Sequence, residues 1–180
     1  MDSLYDYQKF EEERLKGIFY GWDEFRGNHG AVMRKCAEIH KGKTVLDVGC
    51  GLCHLYELIK EDVEEYVGVD IDQRLIEWAR ERYPQLRLEV GSVYDLSFLT
   101  EEYDTVYAIG LYRKINEING IREMLKHTKQ TLVLTYLHKR DVEPPYFPEP
   151  LWGLLRGDEV SSIELISTNI TGIEIIRLNK

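Results

Sequence analysis

The run Val45-Leu-Asp-Val-Gly-Cys-Gly51 sets two glycines behind an apolar stretch, where a chain that turns sharply brings its backbone against a ligand with no Cβ in the way. Nineteen residues beyond Gly51, Asp70 closes a second apolar stretch. If the two are neighbouring parallel strands, this carboxylate reaches the same crevice at their carboxyl ends and can accept both hydroxyl hydrogens of a ribose. The pair points to a nucleoside-bearing cofactor. A dinucleotide turn wants Gly-x-Gly-x-x-Gly, and His54 stands where the third glycine belongs, which disfavours a nicotinamide-dependent oxidoreductase.

The three cysteines offer other chemistry. Cys50-Gly-Leu-Cys-His54 reads literally as a haem-attachment C-x-x-C-H, and also as a redox C-x-x-C with a thiol at a helix start. Cys36 and His40, one helical turn apart, could join Cys50 and Cys53 around zinc. Haem attachment needs export, and the segment already has an explanation as strand, turn and helix. The preferred reading is packing thiols and a surface histidine, with no metal.

Elements must position these residues. The 180 residues favour one domain, and a formal charge of −9 is the wrong sign for tracking a phosphate backbone. Nucleic acid is an unfavoured partner. Residues 1–16 lack the basic stretch and apolar core of a signal peptide, and no apolar run reaches membrane-spanning length, so a cytoplasmic protein away from membranes is expected. Helices are expected at 3–16 and 28–40, the second capped by Asn28 with Val32, Cys36 and Ile39 on one face. Between them lies an aromatic link with Tyr20, Trp22 and Phe25.

From residue 43 strands and helices alternate. Strands are expected at 44–48, 65–71, 86–90, 103–109 and 131–137, the third an edge because Leu86-Arg-Leu-Glu-Val90 alternates. Helices fall between them: one puts Leu55, Leu58 and Ile59 on a single face, one runs 73–83 until Pro84 stops it, and one runs 114–127. Such alternation argues for a doubly wound α/β fold with right-handed crossovers. Strand-like runs at 163–167 and 173–178 are too close for an intervening helix and read as an antiparallel hairpin. Four of the five prolines fall in 138–158, with Tyr146, Phe147 and Trp152, a candidate lid. The expected organisation is a helical cap (1–42), a cofactor-binding core (43–137), a lid (138–158) and a closing hairpin (159–180).

With these segments in place, the sequence resembles the class I S-adenosylmethionine-dependent methyltransferases. Val45 to Gly51 is similar to their first motif, Val67-Gly-Val-Asp-Ile71 to their second, Leu88-Glu-Val-Gly-Ser92 to their third and Tyr103-Asp-Thr-Val-Tyr-Ala-Ile109 to their fourth. The resemblance implies a Rossmann-like seven-stranded sheet of order 3-2-1-4-5-7-6 and S-adenosyl-L-methionine as cofactor. It also implies in-line methyl transfer to an acceptor, a small molecule by preference and a protein as the second choice. Asp47, Gly49 and Gly51 would surround the methionine part, Asp70 would hold the ribose and Ile71 would flank the adenine. Ser92 stands where many members carry an acid for the adenine amino group. Gly110, Leu111 and Tyr112 would lie by the transferred methyl. Pro144-Pro-Tyr-Phe147 is similar to a motif of amino-group methyltransferases, but it follows the fifth strand rather than the fourth and is not carried over. His29, Tyr112 and His138 are positions near the cofactor mouth from which a base could act, none assigned as catalytic. A silent binding or scaffold protein on the same fold is the alternative from another class.

Overall fold

Val45, Leu46 and Val48 make one strand apolar on both sides, and such a strand belongs in the middle of a sheet covered on both faces. In the computed structural model β1 (Thr44–Val48) lies between β2 (Glu65–Asp70) and β4 (Tyr103–Ala108) and pairs with both in parallel. The structure describes residues 30–111, 118–137, 159–170 and 173–180, with Leu154 and Gly157. The remaining elements are α1 (Ala31–Glu38), α2 (His54–Ile59), α3 (Gln73–Arg82), β3 (Arg87–Val90), α4 (Ile118–Lys126), β5 (Thr128–Leu137), β6 (Ser162–Ile170) and β7 (Ile173–Asn179). They build a seven-stranded sheet of order β3-β2-β1-β4-β5-β7-β6, in which β7 runs antiparallel to both neighbours. The expected sheet order, the edge position of the third strand and the closing hairpin are all present.

The pleat sorts the core into two layers. Leu46, Val48, Val67, Val69, Val106 and Leu132 face α4, which meets them with Ile121, Met124 and Leu125. Val45, Tyr66, Tyr107, Val133 and Ile175 face the other way, against Val32 and Cys36 of α1, Leu55 and Ile59 of α2, and Ile76 and Ala79 of α3. Asp47, one pleat beyond Val45, points into this second layer.

Some boundaries differ from expectation. Leu58 is 43% exposed, because six residues of α2 turn one pair, Leu55 and Ile59, onto the sheet and leave the neighbouring position outside. β5 starts at Thr128 rather than 131: Lys129 and Gln130 are exposed, so no apolar signal marks those residues, and the ladder is irregular between Tyr103 and Thr105. β2 ends at Asp70, leaving Ile71 outside the ladder. The helix expected at 3–16, the link with Tyr20, Trp22 and Phe25, Asn28, His29, the span 112–117 with Tyr112, His138, and Pro144, Tyr146, Phe147 and Trp152 of the proposed lid lie outside the described residues.

The amino ends of β1 and β4 are tied by one carboxylate. Asp104 accepts from the backbone N–H groups of Lys43 (2.8 Å) and Thr44 (3.1 Å) and from the Gln130 amide (3.2 Å). These bonds, the Lys43 N–H foremost, hold its carboxyl below the usual value. A depressed folded value adds stability above the unfolded carboxylate range and loses it as pH falls through the folded value. Asp104→Ala should cost about 1–3 kcal/mol at pH 7, and urea titrations should show the gap narrowing below about pH 4. An unchanged gap at low pH would refute the carboxylate's role.

Candidate functional site

Past Val48 the chain must leave the sheet and enter α2 within a few residues, and it does so on strained backbone. Gly49 (φ +78°), Gly51 (φ +52°) and Cys53 (φ +58°) all adopt left-handed conformations. The glycines do this without penalty; Cys53 does so at a cost of roughly 1–2 kcal/mol. Backbone bonds secure the turn: the N–H groups of Gly49 and Cys50 donate to the Val69 carbonyl at 2.7 and 3.1 Å, and Cys53 N–H donates to the Cys50 carbonyl at 2.8 Å. A Cβ built on Gly51 meets nothing within 4 Å, so the turn faces open space there.

Asp70 belongs to the same construction. One carboxylate oxygen accepts from Gly51 N–H and the other from Asp72 N–H, both at 2.9 Å. It is not the cap of α3; that role falls to Asp72, whose carboxylate accepts from Arg74 N–H at 3.0 Å. Each Asp70 oxygen keeps a second lone pair for a ligand.

A cavity of about 280 Å³ opens beside these groups. Gly49, Asp70, Ile71 and Ser92, four of the expected site residues, line it together. Ile71 is 70% exposed, an apolar side chain held at the lip with no packing reason to be there. The Ser92 hydroxyl oxygen accepts from Tyr94 N–H at 3.3 Å, which leaves its hydrogen to donate. Val48, Gly91, Val93, Tyr94 and Leu111 complete the wall. Val93 and Tyr94 were not marked by residue type. Their signal was positional, since they follow the carboxyl end of β3 and therefore reach the same rim.

Asp47, Gly51 and Gly110 do not line this cavity. Gly110 (φ +80°), two residues past the end of β4, donates its N–H to the Thr135 hydroxyl at 2.8 Å, fixing the start of the loop that carries Leu111. Asp47 lies beneath the turn, 4% exposed, where the Tyr66 hydroxyl donates to its carboxylate at 2.5 Å. Burial pushes the Asp47 carboxyl up to about 7; the Tyr66 bond pulls against this and the Asp70 charge adds to it. Among the described residues the other titratable groups facing it are Cys36 of α1, Cys50 of the turn and Tyr107 of β4. None of these is a cation, so the carboxylate is buried without a counter-charge among them.

The remaining sequence candidates have local partners. Cys36, Cys50 and Cys53 are free and buried. The Cys50 thiol is pushed well up, first by its hydrogen bond with Cys53 and then by burial, and burial pushes Cys36 up to about 12, both disfavouring the reactive thiolate. His40 engages one ring nitrogen with the Tyr107 hydroxyl and the other with the Gly42 carbonyl, each at 3.1 Å. Among the described residues no three or more His, Cys, Asp or Glu gather where they could hold a metal ion, and no described helix is long and apolar enough to cross a membrane.

Comparison with known proteins adds an independent line. Residues 45–132 match the family described as a methyltransferase domain. A probable S-adenosylmethionine-dependent methyltransferase of Mycolicibacterium smegmatis is 28% identical over 78 residues, 43% of this chain and 30% of that protein. The chain spans only about a third of the length of the curated relatives it matches. Among solved structures, magnesium protoporphyrin IX methyltransferase from Synechocystis with bound S-adenosylhomocysteine superposes with a TM-score of 0.70 at 16% identity, over 97% of this chain and 94% of that one. An amino pentose methyltransferase from Micromonospora echinaspora with bound S-adenosylmethionine superposes with a TM-score of 0.63 at 15% identity, over 99% of both. The structural likeness bears on the fold, and the match over residues 45–132 bears on descent. Over residues 45–132, just under half of its length, the chain matches a methyltransferase domain, on a fold shared with S-adenosylmethionine-dependent methyltransferases.

Proposed function

We propose that the protein is a methyltransferase that uses S-adenosylmethionine and acts on a small-molecule acceptor. The observation that carries the cofactor is the pairing of two carboxylates with one glycine turn. Asp70 opens on the cavity and has lone pairs for ribose hydroxyls, while Asp47 lies beneath the turn with no cation beside it among the described residues. A ligand with a ribose at one end and positive charge at the other satisfies both. Ile71 offers an apolar face for adenine, and Ser92 a hydroxyl hydrogen for a ring nitrogen. When bound, the cofactor supplies an electrophilic methyl group. The protein's part is to hold the donor, align the acceptor and keep water out, with no nucleophilic side chain of its own.

Two observations support a small acceptor. The net charge of −9 disfavours a polyanion, and an amino pentose methyltransferase and a magnesium protoporphyrin IX methyltransferase share the fold. A helical cap at 1–42 and a lid at 138–158 around the core at 43–137 and hairpin at 159–180 would supply acceptor selectivity. Three free thiols fit a reducing, cytoplasmic setting.

Calorimetry tests the cofactor. S-adenosylmethionine and S-adenosylhomocysteine should bind and NAD should not, and Asp70→Ala should weaken both by roughly 100-fold or more, the worth of two hydrogen bonds to a charged group. No binding to the wild type, or unchanged affinity in the variant, rejects the assignment. Transfer of a labelled methyl across a panel of amines, hydroxyls and carboxylates then separates an enzyme from a silent binder.

A further inference from the structure

Among the described residues Asp47 has one hydrogen-bonding side chain on it, and that side chain comes from the next strand. Register places Tyr66 of β2 beside Val45 of β1, and the ring reaches along the sheet to put its hydroxyl on the Asp47 carboxylate. Tyr66 is itself 4% exposed, and the Tyr56 ring packs edge-on against it with centroids 5.2 Å apart. The tyrosine is therefore held by the core and cannot follow solvent. It lies on the face opposite Val67 and Val69, outside the cavity wall, and reaches the ligand site through Asp47.

A buried carboxylate has two ways to exist: protonated, or ionised beside something that stabilises the charge. Among the described residues the groups around it are Tyr66 and Asp70 on β2, Cys36 on α1, Cys50 on the turn and Tyr107 on β4. Asp70 repels the charge, and the two thiols and Tyr107 are neutral near pH 7: burial raises Cys36 and Tyr107, and the hydrogen bond with Cys53, then burial, raises Cys50. Among the described residues Tyr66 alone hydrogen-bonds the ionised form.

We propose that the Tyr66 hydroxyl is a positioning group for the cofactor site: it holds the Asp47 carboxylate and sets the pH range in which that carboxylate takes up the α-ammonium group at the amino-acid end of the cofactor, a proton leaving Asp47 for solvent as the ammonium enters. This rests on the cofactor reading above. The balance is simple, since one O–H bond of a protonated Asp47 breaks, its electron pair stays on the carboxylate and the proton goes to buffer. Binding is then tighter at higher pH, and the tyrosine decides where the rise occurs.

The test follows the carboxylate itself. With 13C-labelled aspartate and Asp47→Asn to assign the resonance, Asp47 in the free wild type should titrate well above the other carboxylates. In Tyr66→Phe its midpoint should rise by about one to two pH units, the worth of one hydrogen bond to a charge. Calorimetry of S-adenosylhomocysteine in buffers of different protonation enthalpy should show more protons released at pH 7 in Tyr66→Phe. Affinity should be about tenfold weaker at pH 7 and within about threefold of wild type at pH 9. An ordinary carboxylate midpoint in the wild type, or the same midpoint in the variant, overturns the proposal. If Tyr66→Phe does not fold, biosynthetic 3-fluorotyrosine, a stronger donor, must lower the midpoint, and a fixed midpoint overturns it equally. Failure of S-adenosylhomocysteine to bind the wild type at either pH removes the cofactor reading, and the NMR midpoints still decide what Tyr66 does.

Discussion

Asp47→Asn should make the free protein more stable at pH 8 and nearly abolish binding of the cofactor. The carboxyl sits near 7 in the folded chain against an ordinary 3.8, so the folded state holds a proton that the unfolded state has released between those values. Stability is fully present below the unfolded value and is lost as pH rises through the folded one. A shift of that size corresponds to about 4 kcal/mol at most, and leaving part of the asparagine amide unpaired returns about 1–2 kcal/mol. A net gain of about 2 kcal/mol, or roughly 4–8 °C in Tm, should appear at pH 8 and disappear by pH 5. The asparagine still accepts from Tyr66, so the fold has no reason to change. Binding should fall about a hundredfold, because a cation then enters a buried site with no negative partner. A variant less stable at pH 8, or one that binds normally, would show that Asp47 is neither strained nor used.

The second large effect is at Gly49. Its φ of +78° is a conformation in which a β-branched residue is a true outlier, and a Cβ there lies 2.7–2.9 Å from three Leu111 side-chain atoms. Leu111 can step aside, whereas the backbone cannot, since Gly49 N–H is bonded to Val69. Gly49→Val should therefore lower stability by about 2–4 kcal/mol, seen as a drop of several degrees or more in Tm. It should also reduce S-adenosylhomocysteine binding by at least about a hundredfold, because the turn carries both Gly51 N–H and the cavity wall. Pairing it with Leu111→Ala separates the two causes. If the double variant recovers stability fully, the clash and not the backbone was the cost.

The parts of this molecule that were legible in its sequence are those set by local pattern. Apolar runs on both sides of β1, the alternation of β3 and the spacing from Gly51 to Asp70 each express how a residue sits relative to its immediate neighbours, and each led to the right element. The Tyr66–Asp47 bond was not legible. It depends on the pairing of Val45 with Tyr66, which no residue in either strand announces. Cys53 was also read by its type, as a thiol, when its backbone is what distinguishes it. Leu58 was counted on a buried face because periodicity says which residues share a side, and not how much of that side a six-residue helix can cover.

The outer margin of the sheet at β3 has a bearing on how the protein behaves at high concentration. An edge strand is a template for another chain, and a sheet that ends beside a ligand site cannot hide its edge under a helix without closing the site. Here the Arg80 guanidinium, from α3, donates to the Leu88 carbonyl, and Arg87 and Glu89 place opposite charges along the same strand. Arg87 also pairs with Glu101 at 3.2 Å, and Arg80 with Glu89 at 3.6 Å. An incoming strand must displace these groups and bury their charges. Self-association through this margin should therefore be weak in dilute salt and grow as ions screen the pairs, so storage buffers for this protein should be kept low in ionic strength.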